Sequence, residues 1–185
     1  MPQLVAFLRA INVGGRYIKM AALTEHFCSL GFTDATTFIS SGNVIFSSNS
    51  RNLNKLALQI EADLEPLLGF KSEVFIRSAS EVRQIAERGK SLLSEVPADG
   101  DVNIAFFALP LTEEQRSAIA ALQSASETGA DTFQCGDREV YWLTQSKQSD
   151  SKISNAVFER KLRARSTCRR ASMLDRLSKL LSSKS

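Results

Sequence analysis

The sequence predicts an α+β protein with a ferredoxin-like β-α-β-β-α-β unit at its N-terminus, then a second, related α/β unit and a C-terminal helix. Short apolar runs bounded by turn residues alternate with longer apolar stripes at helical spacing. The composition is that of a globular protein, with 43% hydrophobic and 23% charged residues. The order of segments over residues 1–78 is partly repeated over 79–185, which predicts two domains with those boundaries.

The first half of the chain supplies every element of a β-α-β-β-α-β unit. The first helical stripe ends at Gly31, a residue typical of helix C-termini, and the second begins after the potential cap Asn52. Turn residues 40–43 separate two β-rich runs and therefore predict an antiparallel hairpin. The predicted strands are residues 3–11, 36–39, 44–47 and 71–77, and the stripes are Met20, Leu23, Phe27, Leu30 and Leu53, Leu56, Ile60, Leu64, Leu67.

The second half predicts β-α-β-β-α and a last amphipathic helix, after a connecting helix and the longest loop, residues 92–101. Thr112 and Gln115 have the spacing of a capping box, and Gly136-Asp137 predicts the turn of a hairpin. A helix is expected to begin at Ser151. The other predicted elements are the connecting helix 80–88, the strands 102–109, 132–135 and 139–144, and the C-terminal helix 173–181.

A glycine pair between two guanidinium groups, in residues 9–16, follows the first predicted strand directly. Paired glycines let backbone N–H groups approach an anion, and a helix that begins nearby adds its positive end. Because the first two strands of such a unit run the same way, this loop and the turn 40–43 should meet at one edge of the sheet. The predicted ligand-binding residues there are Arg9, Asn12, Gly14, Gly15, Arg16, Lys19, Ser41, Gly42 and Asn43.

A purely structural role for these residues is the alternative interpretation. The glycine pair would then serve a tight turn, Asn43 would occupy a left-handed turn position, and Arg9 would form a surface ion pair.

The same segments resemble the signature of the domain-of-unknown-function 1697 family. The similar segments are Arg9-Ala10-Ile11-Asn12-Val13-Gly14-Gly15, Met20 with Leu23, Leu30-Gly31-Phe32, and Ser41-Gly42-Asn43-Val44 with Phe46. Weaker similarity continues through Ser151-Lys152, residues 159–162 and Thr167-Cys168-Arg169. The resemblance implies a bacterial cytoplasmic protein of ferredoxin-like α+β architecture with no established activity.

The second half adds three residues to the candidate ligand site, namely Ser151, Lys152 and Arg169. One departure from the family lies beside them, because family members typically follow the late arginine with Asn-Trp-Asn. Here Arg169 is followed by Arg170-Ala171-Ser172, so the aromatic ring and both amides are lost.

The sequence lacks the residues and motifs that several kinds of functional site require. Three widely spaced cysteines and the single His26 predict neither a disulfide framework, nor a metal site, nor a Ser-His-Asp triad. Neither a GxxxxGK[ST] nor a GxGxxG motif occurs, and no cofactor is expected. The N-terminal apolar runs are too short for a signal peptide or a membrane span, which predicts a cytoplasmic protein with no membrane partner.

Charge is distributed unevenly along the chain, and this distribution leaves nucleic acid open as a second class of partner. The whole chain carries +3, whereas residues 160–184 hold nine Lys or Arg and one acid, Asp175, so the first 159 residues carry −5. A basic segment of this kind can bind nucleic acid or acidic metabolites, or it can dock on its own domain.

Three functions therefore remain, and the oligomeric state stays open. The favoured one is binding of a small anionic ligand, bearing phosphate or carboxylate, at the glycine loop. The second is nucleic-acid binding through the basic segment. The third is an enzyme acting on a phosphorylated or acyl substrate, with Lys19 or Lys152 as the polar catalyst and the glycine loop as the oxyanion donor.

Overall fold

A computed structural model describes residues 1–39, 42–125, 131–146, 151 and 153–183. The chain forms two compact units, Met1–Val82 and Arg83–Ser185. Each contains one four-stranded sheet in which all neighbouring strands are antiparallel. With six α-helices in the described residues, the protein has the mixed α and β content that the sequence predicted.

The first unit follows the predicted order of elements, and its sheet has the strand order β2-β3-β1-β4. One face of the sheet, with Leu4, Ala6 and Phe46, forms a core with Leu23 and Ile60 of its two helices. Apolar burial of this kind is the main force that holds the unit together. The elements are β1 (Gln3–Leu8), α1 (Met20–Ser29), β2 (Thr33–Thr37), β3 (Asn43–Ser47), α2 (Leu53–Leu68) and β4 (Val74–Ser78).

A capping residue fixes each end of α2, and the first of the two, Asn52, was predicted from the sequence. Asn52 is the N-cap, and its Oδ1 accepts a 2.9 Å hydrogen bond from the Lys55 amide. Gly69 follows the last turn with a left-handed φ of 72°, which glycine adopts without a Cβ penalty.

The second unit has the corresponding strand order, β6-β7-β5-β8. A connecting helix, α3, begins in the first unit and continues into the second. The predicted capping box is present at α4, because Thr112 and Gln115 exchange hydrogen bonds of 3.0 and 3.2 Å. The elements are α3 (Ala79–Leu92), a 3₁₀ turn (Leu93–Glu95), β5 (Asp101–Phe106), α4 (Glu113–Ala125), β6 (Asp131–Cys135), β7 (Glu139–Thr144), α5 (Asn155–Leu162), β8 (Thr167–Arg170) and α6 (Ala171–Ser183).

The structural repeat is more complete than the predicted β-α-β-β-α. The segment Thr167–Arg170 is a fourth strand, β8, paired with β5 as β4 is paired with β1. A helix follows directly in both halves, since α3 starts after Ser78 and α6 after Arg170. Both halves therefore have the order β-α-β-β-α-β-α.

Several predicted boundaries are shifted for local reasons. The first strand ends at Leu8 rather than residue 11, because Ala10 takes a left-handed φ of 59° that cannot continue a strand. Helix α5 begins at Asn155 rather than Ser151, since the side chain of Ser154 caps it by accepting from the Val157 amide.

Candidate functional site

The glycine pair forms the two central residues of a tight turn between β1 and α1. Val13 and Arg16 form an antiparallel bridge, and the Arg16 amide donates to the Val13 carbonyl over 3.1 Å. Gly14 and Gly15 have φ of 56° and 82°, and two positive φ values in succession are what a type I′ turn requires. The turn alone therefore explains why both residues are glycine.

Left-handed residues continue on the N-terminal side of this turn. The φ angle is 59° at Ala10 and 55° at Asn12, so positive and negative values alternate from Ala10 to Gly14. Asn12 closes the loop, because its Oδ1 accepts a 2.9 Å hydrogen bond from the Ile18 amide. Alternation of right- and left-handed residues is a backbone pattern typical of anion-binding concavities.

The loop after β1 and the turn before β3, which were predicted to converge, meet at Gly42. The Leu8 amide donates to the Gly42 carbonyl over 2.8 Å. A Cβ on Gly42 would lie 2.8 Å from the Cβ of Ile11, and the residue has a φ of 69°. Gly42 is therefore required both by its backbone conformation and by this close approach.

Asn43 is buried completely and serves the hairpin between β2 and β3. Its Nδ2 donates to the Phe38 carbonyl over 3.0 Å, and its own carbonyl accepts from the Phe38 amide over 2.9 Å. The Asn43 side chain thus adds a second hydrogen bond between the two arms of the hairpin. The remaining predicted residue of this turn, Ser41, lies outside the described residues.

Arg9 attaches the loop to the beginning of β4. Its amide donates to the Glu73 carbonyl over 2.9 Å, and its carbonyl accepts from the Ser72 hydroxyl over 2.7 Å. Its guanidinium lies 3.4 Å from the Glu73 carboxylate, with both side chains partly exposed. This ion pair offsets the charge that Arg9 would bring to a ligand.

Arg16 and Lys19 are exposed cations next to the start of α1. The Arg16 guanidinium lies 4.9 Å from the centre of the Phe70 ring, which orients it by a cation–π contact. Lys19 is the N-cap residue, yet it makes no side-chain cap, and the first turn of α1 contains no acidic residue. The positive end of the helix therefore lies beside two positive side chains.

Two of the three candidate residues of the second half are described, and both are held within the second unit. The Ser151 hydroxyl donates to Asp131 over 2.8 Å, and Trp142 Nε1 donates to the other oxygen of that carboxylate over 2.7 Å. Arg169 donates from Nη1 to the Thr167 hydroxyl and the Cys168 carbonyl, both at 2.8 Å. Burial lowers the pKa of Arg169 to about 10. Lys152 lies outside the described residues.

Much of the charge in the basic segment is compensated inside the second unit. Three ion pairs join Arg165 to Glu159 at 3.3 Å, Arg170 to Asp101 at 3.2 Å and Lys179 to Asp175 at 2.6 Å. Arg169 is buried as well, so the charges of these four residues are held within the second unit. This favours the intramolecular interpretation of the segment over a continuous basic surface.

Sequence reasoning missed Glu73, Phe70 and Asp131, which hold Arg9, Arg16 and Trp142. Glu73 and Phe70 are far from their partners in sequence, and Asp131 meets Trp142 only through the pairing of β6 with β7, so no pattern in consecutive residues marks these contacts. Asn103 was missed too, although an amide in the middle of an apolar strand is a visible signal.

Two further features bear on the kind of site. Within the described ranges, no group of three or more His, Cys, Asp or Glu side chains is arranged to hold a metal ion. None of the helices in those same ranges is long and apolar enough to cross a membrane.

Known proteins resemble this chain in sequence and in fold. The family described as "Protein of unknown function (DUF1697)" matches residues 1–141. The structure of a conserved bacterial protein from Streptococcus pneumoniae, SP0830, is similar over 98% of this chain and 99% of that one, with a TM-score of 0.67 and 23% identity. At that identity the likeness concerns the fold alone. No functionally curated protein matches the chain.

Proposed function

The chain belongs to the DUF1697 family of proteins of unknown function, and we propose that it binds a small anionic ligand at the loop between β1 and α1. The observation that carries this proposal is the start of α1. It has no side-chain cap and no acid in its first turn, and two exposed cations, Arg16 and Lys19, lie beside it. Uncapped helix starts bind phosphate or carboxylate oxygens through N–H groups and the helix dipole.

The residues of the site divide into two roles under this proposal. Gly14 and Gly15 offer backbone amides, and Arg16 and Lys19 offer positive charge. Asn12, Gly42 and Asn43 position these groups, as their contacts with Ile18, Ile11 and Phe38 support. Arg9, paired with Glu73, contributes less charge than Arg16 does. Ser41, which precedes Gly42 in the sequence, is retained in the proposed site from the sequence prediction.

The charges of the loop favour an anion over a neutral ligand. The first 24 residues include Arg9, Arg16 and Lys19 and no Asp or Glu. A guanidinium matches the oxygens of phosphate and carboxylate alike, so the proposal covers both groups.

A ferredoxin-like fold for the N-terminal unit, with a domain boundary after residue 78, is part of the same proposal. The order β2-β3-β1-β4 with all neighbours antiparallel supports it, since it brings β1 and β2 into the same direction. A cytoplasmic location is also proposed, and the free thiols of Cys28, Cys135 and Cys168 suit a reducing compartment.

Calorimetric titration with inorganic phosphate and with acetate tests the proposal. The variant combines Arg16→Gln and Lys19→Gln, and the matched control combines Arg51→Gln and Lys55→Gln at the start of α2, where Asn52 already caps the helix. We expect saturable binding of at least one anion, weakened about tenfold or more in the first variant and unchanged in the control. Absence of binding to both anions, or equal weakening in the two variants, would overturn the proposal.

A further inference from the structure

The two halves of the repeat differ at one row of residues in their sheets. In the first sheet Leu4 lies opposite Phe46 on β3 and Ser78 on β4. In the second sheet Asn103 lies opposite Trp142 on β7 and Arg170 on β8. Leu4 and Asn103 therefore occupy equivalent positions, and an apolar core residue of one half is a carboxamide in the other.

Asn103 is 3% exposed, and its Nδ2 has no hydrogen-bond partner in the described part of the chain. A buried donor without an acceptor is unfavourable, because it has lost its bonds to water and gained none. The first half shows that this fold accepts leucine at the equivalent place. The amide is therefore not required by the fold, and a bound acceptor would explain it.

Arg170 supplies a second donor next to that amide. It lies directly across from Asn103 on the same face of the sheet, and the Cβ atoms of such pairs are about 4.5–5.5 Å apart. Its Nε is 3.2 Å from the Asp101 carboxylate, and its side chain is 67% exposed. Among the described residues, no other group pairs with the guanidinium.

We propose that Asn103 and Arg170 form a binding site for a small carboxylate ligand in the second unit. One carboxylate oxygen accepts from Asn103 Nδ2, and the other accepts from an Nη of Arg170. The site is separate from the loop between β1 and α1 and does not depend on the function proposed for it.

The surroundings favour a carboxylate over a phosphate. Asp101 on β5 and Asp131 on β6 both lie opposite Thr144 on β7. Thr144 is two residues from Trp142 and therefore lies on the same face of the sheet as Trp142 and Asn103. Both aspartates lie on that face as well. Two carboxylates nearby repel a doubly charged anion more than a singly charged one. A planar carboxylate also matches the planar fork of a guanidinium.

Under this proposal the ligand reaches the buried amide past the exposed side chain of Arg170. Only one partly exposed ion pair holds its guanidinium, and such pairs contribute little free energy. The side chain can therefore move aside as the ligand enters and then bind it.

Trp142 is a built-in reporter for this site, because it lies directly opposite Asn103 and is the only tryptophan of the sequence. Its emission can be followed while the full chain is titrated with acetate, against chloride at equal ionic strength. The variants are Asn103→Val and Arg170→Gln. The matched control is Lys179→Gln, which removes a cation of equal exposure that also pairs with an aspartate.

We expect a saturable change in Trp142 emission with acetate, weakened about tenfold or more in both variants and unchanged in the control. We also expect Asn103→Val to keep or raise the thermal midpoint, since it removes the unsatisfied donor. No saturable change in the wild-type protein, an undiminished response in Arg170→Gln, or phosphate binding as tight as acetate would overturn the proposal. Should Asn103→Val fail to fold, Arg170→Gln alone still decides between these outcomes.

Discussion

Gly42 lies against Ile11 so closely that a methyl group on the glycine would come within 2.8 Å of the isoleucine Cβ. The contact joins two loops that are about 30 residues apart in sequence, and the Leu8 amide reinforces it by donating to the Gly42 carbonyl. The position of the candidate anion site therefore depends on a turn that does not itself offer a charged side chain.

Gly42→Ala should destabilise the protein by about 2–4 kcal/mol. A left-handed alanine costs about 1–2 kcal/mol, and the added methyl group overpacks the contact with Ile11. Gly69→Ala is the matched control, since Gly69 has a similar φ of 72° and open space around it. It should lose only the conformational part. Urea unfolding measures both, and equal losses would show that the contact with Ile11 is unimportant.

Arg9→Gln should weaken phosphate or acetate binding less than Arg16→Gln does. Glu73 already offsets the charge of Arg9, whereas Arg16 is exposed and contacts the Phe70 ring. The loss of stability for Arg9→Gln should be about 1 kcal/mol or less, as for other partly exposed pairs. Calorimetric titration of the two variants makes the comparison. A greater loss of affinity for Arg9→Gln would place the ligand nearer to β4.

Asp131→Ala should destabilise the second unit by about 2–4 kcal/mol. The carboxylate accepts from both Trp142 Nε1 and the Ser151 hydroxyl, and the indole N–H is completely buried. Removing the acceptor leaves a buried donor unsatisfied. Asp131→Asn keeps an oxygen for Trp142 and should lose less. Thermal unfolding followed by tryptophan emission tests this order, which the reverse ranking would contradict.

Cys168 should react with iodoacetamide far more slowly than Cys28. The thiolate is the reacting form, and burial raises the pKa of Cys168 to about 12. Below that pKa the thiolate fraction, and hence the rate, should rise about tenfold for each pH unit. Cys28 is exposed and gives the reference rate. Mass spectrometry of the labelled peptides follows both sites, and equal rates at neutral pH would contradict the raised pKa of Cys168.

The predictable part of the fold came from patterns that are local in the sequence. Helical stripes predicted α1 and α2, and the turn residues predicted the hairpin β6–β7, because these elements carry their burial pattern in consecutive residues. Strand β8 escaped prediction since its four residues include two arginines, one of them buried. The start of α5 was misplaced because Ser151 and Ser154 are equally good caps, and Ser151 is instead engaged by Asp131.

The candidate site was predictable only as far as the strand directions fix it. Parallel first and second strands place the Gly42 turn beside the loop after β1, which needs no side-chain detail. The partners of individual side chains were not predictable in this way. Glu73 is 64 residues from Arg9, and the burial of Asn43 depends on how the turn folds over the Phe38 carbonyl.

Backbone amide chemical shifts during a phosphate or acetate titration test the anion site most directly. We expect saturable shifts of the Gly14, Gly15 and Met20 amides, at the turn and at the uncapped start of α1. The amides at the start of α2, capped by Asn52, should move little. Saturable shifts at α2 without any at the glycine turn, or no saturable shift in the first unit, would contradict the account.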